Sequence, residues 1–181
     1  MGNLSTPTSV RKLQRALHAK AKAEAGCRFY ALYDKISRDD ILAHAYAKCR
    51  SNKGAPGVDG QDFADIEAYG VERWLAELAL ALREKTYRPA PIRRVHIPKA
   101  NGKLRPLGIS TVRDWVCMTA AMLVLEPILE ADLLPEIYAY RAGRDAQQAV
   151  IEVEDQLFHG RPDVVDSIPS RADEVGGTPD H

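Results

Sequence analysis

The sequence has 181 residues, of which 45% are hydrophobic and 28% charged, and it carries no net charge. These values predict about one to one and a half folded domains and exclude a disordered chain. No apolar run approaches the ~18 residues of a membrane span, and the N-terminus lacks the apolar core of a signal peptide. We therefore expect a cytoplasmic protein with no membrane partner, in which the three scattered cysteines are free thiols.

The zero net charge hides an uneven distribution along the chain. Residues 1–60 carry 11 basic and 5 acidic side chains, and residues 93–113 carry 6 basic and no acidic ones, so each block has a charge of +6. Residues 61–92 (−2) and 114–181 (−10) balance them. Because salt screens charges beyond about 8 Å at physiological ionic strength, a bound partner responds to each basic block and not to the net charge. Two such blocks indicate contact with nucleic acid or nucleotides, and an ordinary solvated surface is the alternative.

In the first 60 residues, apolar spacing predicts a helix over 9–25 whose other face is basic. A short helical piece around 29–33 follows. Ser37 and Asp40 have capping-box spacing, which predicts a helix from there to about Arg50. The glycine-rich run NKGAPGVDG at 52–60 predicts a loop.

The next segment predicts a single helix over 65–85 with Trp74 and Leu78 in a buried stripe, because apolar residues recur there at helical spacing. A β-hairpin is predicted over 92–109. The Thr111/Asp114 pair predicts a capped helix that ends near Pro127. Beyond it we expect a helix over 144–159 with Gly160 as its cap, a short strand over 163–166 and a disordered tail over 167–181.

The predicted hairpin carries several cations around an Ala-Asn-Gly turn. Lys99 and Lys103 flank the turn, and Arg105 lies on the return strand. Val95 and Ile97 alternate with polar residues, which predicts one apolar, half-buried face. A stiff hairpin with spaced cations suits a triphosphate. An edge hairpin whose lysines prevent aggregation is the alternative.

Several motifs resemble the group II intron reverse transcriptases, the maturases encoded by mobile introns. These are IPKANGKLRPLGI at 97–109, TVRD at 111–114, LEP at 125–127, GVDG at 57–60, YRPAPIRRV at 87–95 and VRKLQRALHAKAKAE at 10–24. They occur in the family's order and cover about residues 10–166.

The resemblance implies an α+β fold: the helix-rich fingers subdomain of a right-hand reverse transcriptase, with a β-hairpin and an incomplete palm. Residues 1–60 would form a basic helical extension and template-side loop, 61–166 the fingers and start of the palm, and 167–181 a tail. The implied partners are intron or template RNA and a deoxynucleoside triphosphate. The nucleotide would contact Arg93, Lys99 and Arg105. RNA would contact Arg11, Lys12, Arg15, Arg50 and Lys53.

The sequence also departs from the family. Trp115 follows the aspartate of TVRD where the family has arginine, and Ala139-Tyr140-Arg141-Ala142 replaces a GYRP-like run. Val164-Val165-Asp166 runs into Ser167-Ile168-Pro169, as though the stretch with the first metal-binding carboxylate were excised, and no Tyr-x-Asp-Asp run occurs.

We therefore assign no catalytic and no metal-binding residue, although the full-length family implies Mg²⁺ and nucleotidyltransferase chemistry as an RNA-directed DNA polymerase. We expect a truncated polymerase/maturase that is inactive alone, unless a separate palm-bearing chain completes it. The alternatives are a non-catalytic RNA-binding module and a non-functional remnant.

Overall fold

A computed structural model describes residues 4–24, 26, 28–100, 102–139, 141, 143–161 and 163. The chain divides into two compact units, an N-terminal unit (Met1–Leu133) and a C-terminal unit (Leu134–His181). The described part is rich in helix and contains one two-stranded antiparallel sheet, which fits the predicted α+β class. The helices are α1 (Thr8–Ala23), α2 (Leu32–Ile36), α3 (Asp39–Ser51), α4 (Phe63–Tyr69), α5 (Val71–Arg83), α6 (Val112–Asp132) and α7 (Ala146–Phe158), and the strands are β1 (Arg93–Pro98) and β2 (Leu104–Ile109).

The hydrophobic core of the N-terminal unit is built from helices. In α1, Val10, Leu17 and Ala21 recur at helical spacing and are buried. They pack with α3 and α6, and α5 adds Trp74 and Leu78, which confirms these two as core residues. The largest fully buried side chains come mostly from helices: Ile41, Leu42, Ile66, Leu78, Val10, Val112, Val116 and Val124.

The predicted single helix over 65–85 is wrong, because two helices occupy this region. Gly70 has φ 107°, a left-handed conformation that ends α4 and precedes α5. The start of α4 is fixed by Asp62, whose side chain accepts a hydrogen bond from the Asp65 N–H in a reciprocal capping box. Apolar spacing continues across the break, so it conceals the interruption.

The predicted capping box at Ser37 and Asp40 is also wrong. The Ser37 hydroxyl donates to the Asp34 carbonyl at 3.2 Å, and Arg38 precedes α3. Asp40 instead accepts two hydrogen bonds from the Arg38 guanidinium, at 2.8 and 2.9 Å, which holds the pKa of the Asp40 carboxyl below its usual value. The predicted helix is present, although it begins later. The preceding helical piece is α2, a few residues beyond the predicted 29–33.

Helix α6 continues through Pro127 to Asp132, so the predicted end near Pro127 is wrong. A proline has no N–H and cannot bond the carbonyl four residues earlier, which here is that of Leu123. The Gln14 side chain on α1 donates to this carbonyl at 3.1 Å. A side chain from a neighbouring helix thus takes the place of the missing backbone donor.

We expect Gln14→Leu to lower the free energy of unfolding by about 1 kcal/mol, because a part-buried carbonyl loses its donor. The matched background is Pro127→Ala, which restores an N–H to α6. There the same Gln14 substitution should cost less than half as much. Urea unfolding of the four proteins in this cycle measures the coupling, and equal costs in both backgrounds would contradict it.

The predicted hairpin is present, with β1 and β2 paired antiparallel from Arg93↔Ile109 to Pro98↔Leu104. Its expected half-buried face is confirmed only at Ile97, because Val95 is exposed. Every strand side chain is exposed except Ile97 and Ile109, which are half-buried. The hairpin therefore does not bury a face against the helices, and its attachment to the body depends on its ends.

The described part of the C-terminal unit contains α7, which matches the predicted helix over 144–159. Asp145 caps it by accepting from the Gln148 N–H at 2.9 Å, and Gly160 lies just past its end with φ 75°. None of its side chains is buried. The predicted strand over 163–166 and the tail over 167–181 lie outside the described residues, apart from Asp163. No helix in the described ranges is long and apolar enough to cross a bilayer.

Candidate nucleotide and RNA interface

The hairpin places two of its predicted nucleotide-binding arginines on one face. Directly paired residues of an antiparallel sheet share a face, and successive residues alternate. The pairs Arg93↔Ile109 and Ile97↔Arg105 are separated by four residues, so Arg93 and Arg105 lie on the same side. At about 3.4 Å per residue, their backbones are about 14 Å apart along the strands.

The turn keeps the same register. The Lys99 N–H donates to the Lys103 carbonyl at 2.7 Å, and the Gly102 N–H donates to the Lys99 carbonyl at 2.9 Å. Gly102 has φ 76°, which favours glycine at this turn position. Because every second residue of a strand lies on the same face, Lys99 lies on the face of Arg93 and Arg105. We call these three residues the cationic face of the hairpin. They share that face with the apolar Val95 and Ile97, while Arg94 lies on the opposite face.

The base of the hairpin is tied together by one buried carboxylate. Asp114, 7% exposed, accepts hydrogen bonds from the Tyr87 hydroxyl, from the Ala90 N–H at 3.1 Å and from the Thr111 hydroxyl at 2.7 Å. Its own N–H donates back to the Thr111 oxygen at 3.1 Å. The segment entering β1 and the helix following β2 therefore meet at this side chain, which we call the hairpin anchor.

Sequence reasoning saw Asp114 only as a helix cap. The available signal was that it is the first acidic residue after six basic ones, next to a buried helix start. Burial and the hydrogen bond to Asp114 raise the pKa of Tyr87 well above its usual value, so the tyrosine remains a donor at neutral pH. One turn further on, burial raises the pKa of the Cys117 thiol to about 11. Cys49 is buried with a raised thiol pKa and is free, as is Cys117; Cys27 lies outside the described part.

The glycine-rich loop packs against the start of α6. A Cβ at Gly57 would lie 2.6 Å from the backbone N and Cα of Thr111, so only glycine permits this approach. Gly54 similarly faces the ring of Trp115, which also contacts Phe63 edge-to-face at 6.2 Å. These two glycines thus serve internal packing. Trp115, where the sequence departs from the family that it resembles, fills the space beneath the loop.

Of the two loop-side cations, Arg50 already has a partner. Its Nε lies 2.6 Å from a Glu67 carboxylate oxygen, and both side chains are about half exposed. The hydrogen bond to Glu67 raises the pKa of Arg50 above its usual value. An exposed pair of this kind is weak, so a phosphate can compete for Arg50 at little cost. Lys53 is exposed, with φ 50°, at the end of α3.

The predicted basic face of α1 is exposed at Arg11, Lys12 and Arg15. Arg11 donates to the Thr6 carbonyl at 3.0 Å, which holds it near the helix start. Lys22, further along the same helix, donates to the Ala131 carbonyl at 3.3 Å and so joins α1 to α6.

Helices α1 and α6 run parallel, because Gln14 reaches the Leu123 carbonyl and Lys22 reaches that of Ala131. Arg11 is therefore level with about residue 120 of α6. At 1.5 Å per residue, it lies roughly 9 Å along the helix from the hairpin anchor. The glycine-rich loop therefore lies at the base of the hairpin. The basic side chains of α1 lie close to that base, because α1 packs along α6 in the N-terminal unit.

Comparison with known proteins identifies the class. Protein YkfC of Escherichia coli is 38% identical over 154 residues, which are 82% of this chain and 39% of YkfC. Group II intron-encoded protein LtrA of Lactococcus lactis is 35% identical over 67% of this chain and 20% of LtrA. Putative COX1/OXI3 intron 1 protein of Saccharomyces cerevisiae is 26% identical over 67% of this chain and 14% of its own length. No family model matches the chain.

The chain belongs to the group II intron-encoded maturase/reverse transcriptase family, as its ordered motifs indicate. It spans less than two fifths of the length of these curated relatives.

Proposed function

We propose that the chain binds RNA and a deoxynucleoside triphosphate, as the fingers part of a group II intron reverse transcriptase/maturase. The observation that carries this proposal is the cationic face of the hairpin. Arg93, Lys99 and Arg105 share one side of an exposed, stiff hairpin. A triphosphate needs several cations at fixed spacing, and arginine can bind it with two parallel hydrogen bonds.

RNA would contact the exposed cations of α1 together with Arg50 and Lys53. These side chains offer charge without shape-specific pockets, so we expect binding that tolerates sequence changes and weakens with salt. The proposal is supported by the position of the loop, which packs on Thr111 at the base of the hairpin. RNA lying along the N-terminal unit would contact the cationic face of the hairpin and then the basic side chains of α1.

A separate palm-bearing chain is the partner that would complete a polymerase. Along α6, Met118, Met122, Leu125 and Leu129 follow helical spacing and are 39–63% exposed. Such a continuous apolar stripe marks a surface that a partner covers. Mg²⁺, which the full-length family implies, would accompany the palm. Within the described ranges, no three His, Cys, Asp or Glu side chains are close enough to hold a metal ion.

The second candidate function is a non-catalytic RNA-binding module. It is favoured by the construction of the core, which consists of helices and does not depend on palm strands. RNA binding with no polymerisation, even when a palm is supplied, distinguishes this module from the polymerase part.

We expect the purified chain not to extend a primer on an RNA template, with either Mg²⁺ or Mn²⁺. Holding a triphosphate does not replace the two metal ions that activate the primer hydroxyl, and each 1.4 kcal/mol of lost transition-state support costs about tenfold in rate. Incorporation of labelled nucleotide on a template is the measurement. Template-dependent incorporation that Asp166→Ala abolishes would contradict the proposal and identify Asp166 as a metal ligand.

A further inference from the structure

The hairpin has little to hold it in place except its ends. Its strands expose nearly all of their side chains, so no buried face fixes their direction. The chain enters β1 through residues 87–92 and leaves β2 directly into α6. The orientation of the cationic face must therefore be set where these two connections meet.

Both connections meet at Asp114. Its carboxylate accepts from Tyr87 and Ala90 on the entering segment and from Thr111 on the leaving one. The carboxylate is buried, and hydrogen bonds to a charged acceptor are stronger than neutral ones. One oxygen bonds the Tyr87 hydroxyl, and the other is shared by Ala90 and Thr111, so each oxygen fixes a different part of the junction.

We propose that Asp114 is a positioning residue, which sets the direction of the hairpin on the helical body and thereby places Arg93, Lys99 and Arg105 for a triphosphate. This inference rests on the proposed function for its consequence, although the orientation itself is a property of the chain alone. Binding groups act well only when neighbouring hydrogen bonds hold them in place beforehand. Asp114 lies at the base of the hairpin, so it acts through the hairpin backbone and not by contact with the triphosphate.

Two substitutions at Asp114 separate hydrogen bonding from charge. Asp114→Ala removes the acceptor and leaves three donors without it. Asp114→Asn supplies an amide oxygen for Ala90 and Thr111 and an amide NH₂ that donates to the Tyr87 oxygen, because a hydroxyl can also accept. The asparagine variant is therefore the conservative control, expected to restore the orientation that the alanine variant loses.

Residual dipolar couplings of backbone amides in the full chain report the hairpin direction without any ligand. In the wild-type protein and in Asp114→Asn, one alignment tensor should fit both the strands and helices α1, α3 and α6. In Asp114→Ala the strands should require a separate, smaller tensor. Affinity for a deoxynucleoside triphosphate, measured by titration calorimetry, should fall about tenfold in the alanine variant and recover in the asparagine variant.

A purely stabilising role would lower the melting temperature of Asp114→Ala while leaving a common tensor and unchanged affinity, and that result would overturn the inference. If the alanine variant does not fold, Tyr87→Phe decides: it removes one donor and keeps the ring, and a common tensor with wild-type affinity would again overturn it. If the wild-type chain binds no triphosphate, the proposed function fails, while the couplings still decide whether Asp114 orients the hairpin.

Discussion

Reversing the charges of Arg11, Lys12 and Arg15 to glutamate is expected to weaken RNA binding about 100-fold at 0.1 M salt. Each phosphate contact on a single strand contributes about 0.7 to the slope of log affinity against log salt, so three contacts contribute about 2. The difference should almost vanish near 1 M salt. All three side chains are exposed on α1 and none belongs to the core, so the fold should survive. Fluorescence anisotropy across a salt series measures both quantities.

The matched control makes the same change in net charge elsewhere. Reversing Arg73, Lys85 and Arg161 to glutamate also lowers the net charge by six, but these exposed residues lie outside the proposed interface. The control should retain a wild-type slope and most of the affinity. Equal losses in the two triple variants would mean that net charge, and not the α1 face, determines binding.

Replacing Arg105 by alanine is expected to weaken triphosphate binding about 30-fold. A hydrogen bond to a charged group contributes about 2 kcal/mol, which corresponds to about one and a half powers of ten. Arg105 is exposed on β2 opposite Ile97, so its removal leaves no cavity. Titration calorimetry with a deoxynucleoside triphosphate measures the loss.

Two variants test whether the loss of triphosphate affinity depends on the face of the hairpin that is changed and on the planar shape of the guanidinium. Arg94→Ala removes an exposed arginine from the opposite face of β1 and should leave binding nearly unchanged. Arg105→Lys keeps the charge but loses the planar fork, so its affinity should lie between wild type and alanine. If Arg94→Ala and Arg105→Ala weaken binding equally, the hairpin attracts the nucleotide only by its summed charge.

Much of the fold could be predicted from the sequence because helical spacing is a strong local signal. The basic helix, the core stripe with Trp74 and Leu78, and the hairpin all occur where patterns indicated them. The break at Gly70 could not, since apolar spacing continues across it. Nor could the passage of α6 through Pro127, because the carbonyl it leaves without a backbone donor, that of Leu123, is bonded by Gln14, 109 residues earlier in the chain.

The sequence predicts which cations form the candidate site. It does not predict the tertiary contacts that position those cations. Arg93, Lys99 and Arg105 stand out as charges, and alternation along the strands places them together once the register is known. The partnership of Arg50 with Glu67 and the convergence of Tyr87, Ala90 and Thr111 on Asp114 are tertiary contacts. The pattern of residues along the chain does not indicate such contacts. An exposed charged residue and a buried residue that anchors the hairpin therefore cannot be distinguished from the sequence.

The most direct test of the central claim is to map amide chemical shifts of the wild-type chain during titration with a deoxynucleoside triphosphate. We predict saturable shifts concentrated on residues 93–109, with the largest at Lys99 and Arg105, and smaller ones at the hairpin anchor. A subsequent titration with single-stranded RNA should add shifts along the first two turns of α1. Shifts that do not saturate, or that spare the hairpin while other residues respond, would contradict the claim that its cationic face binds nucleotide.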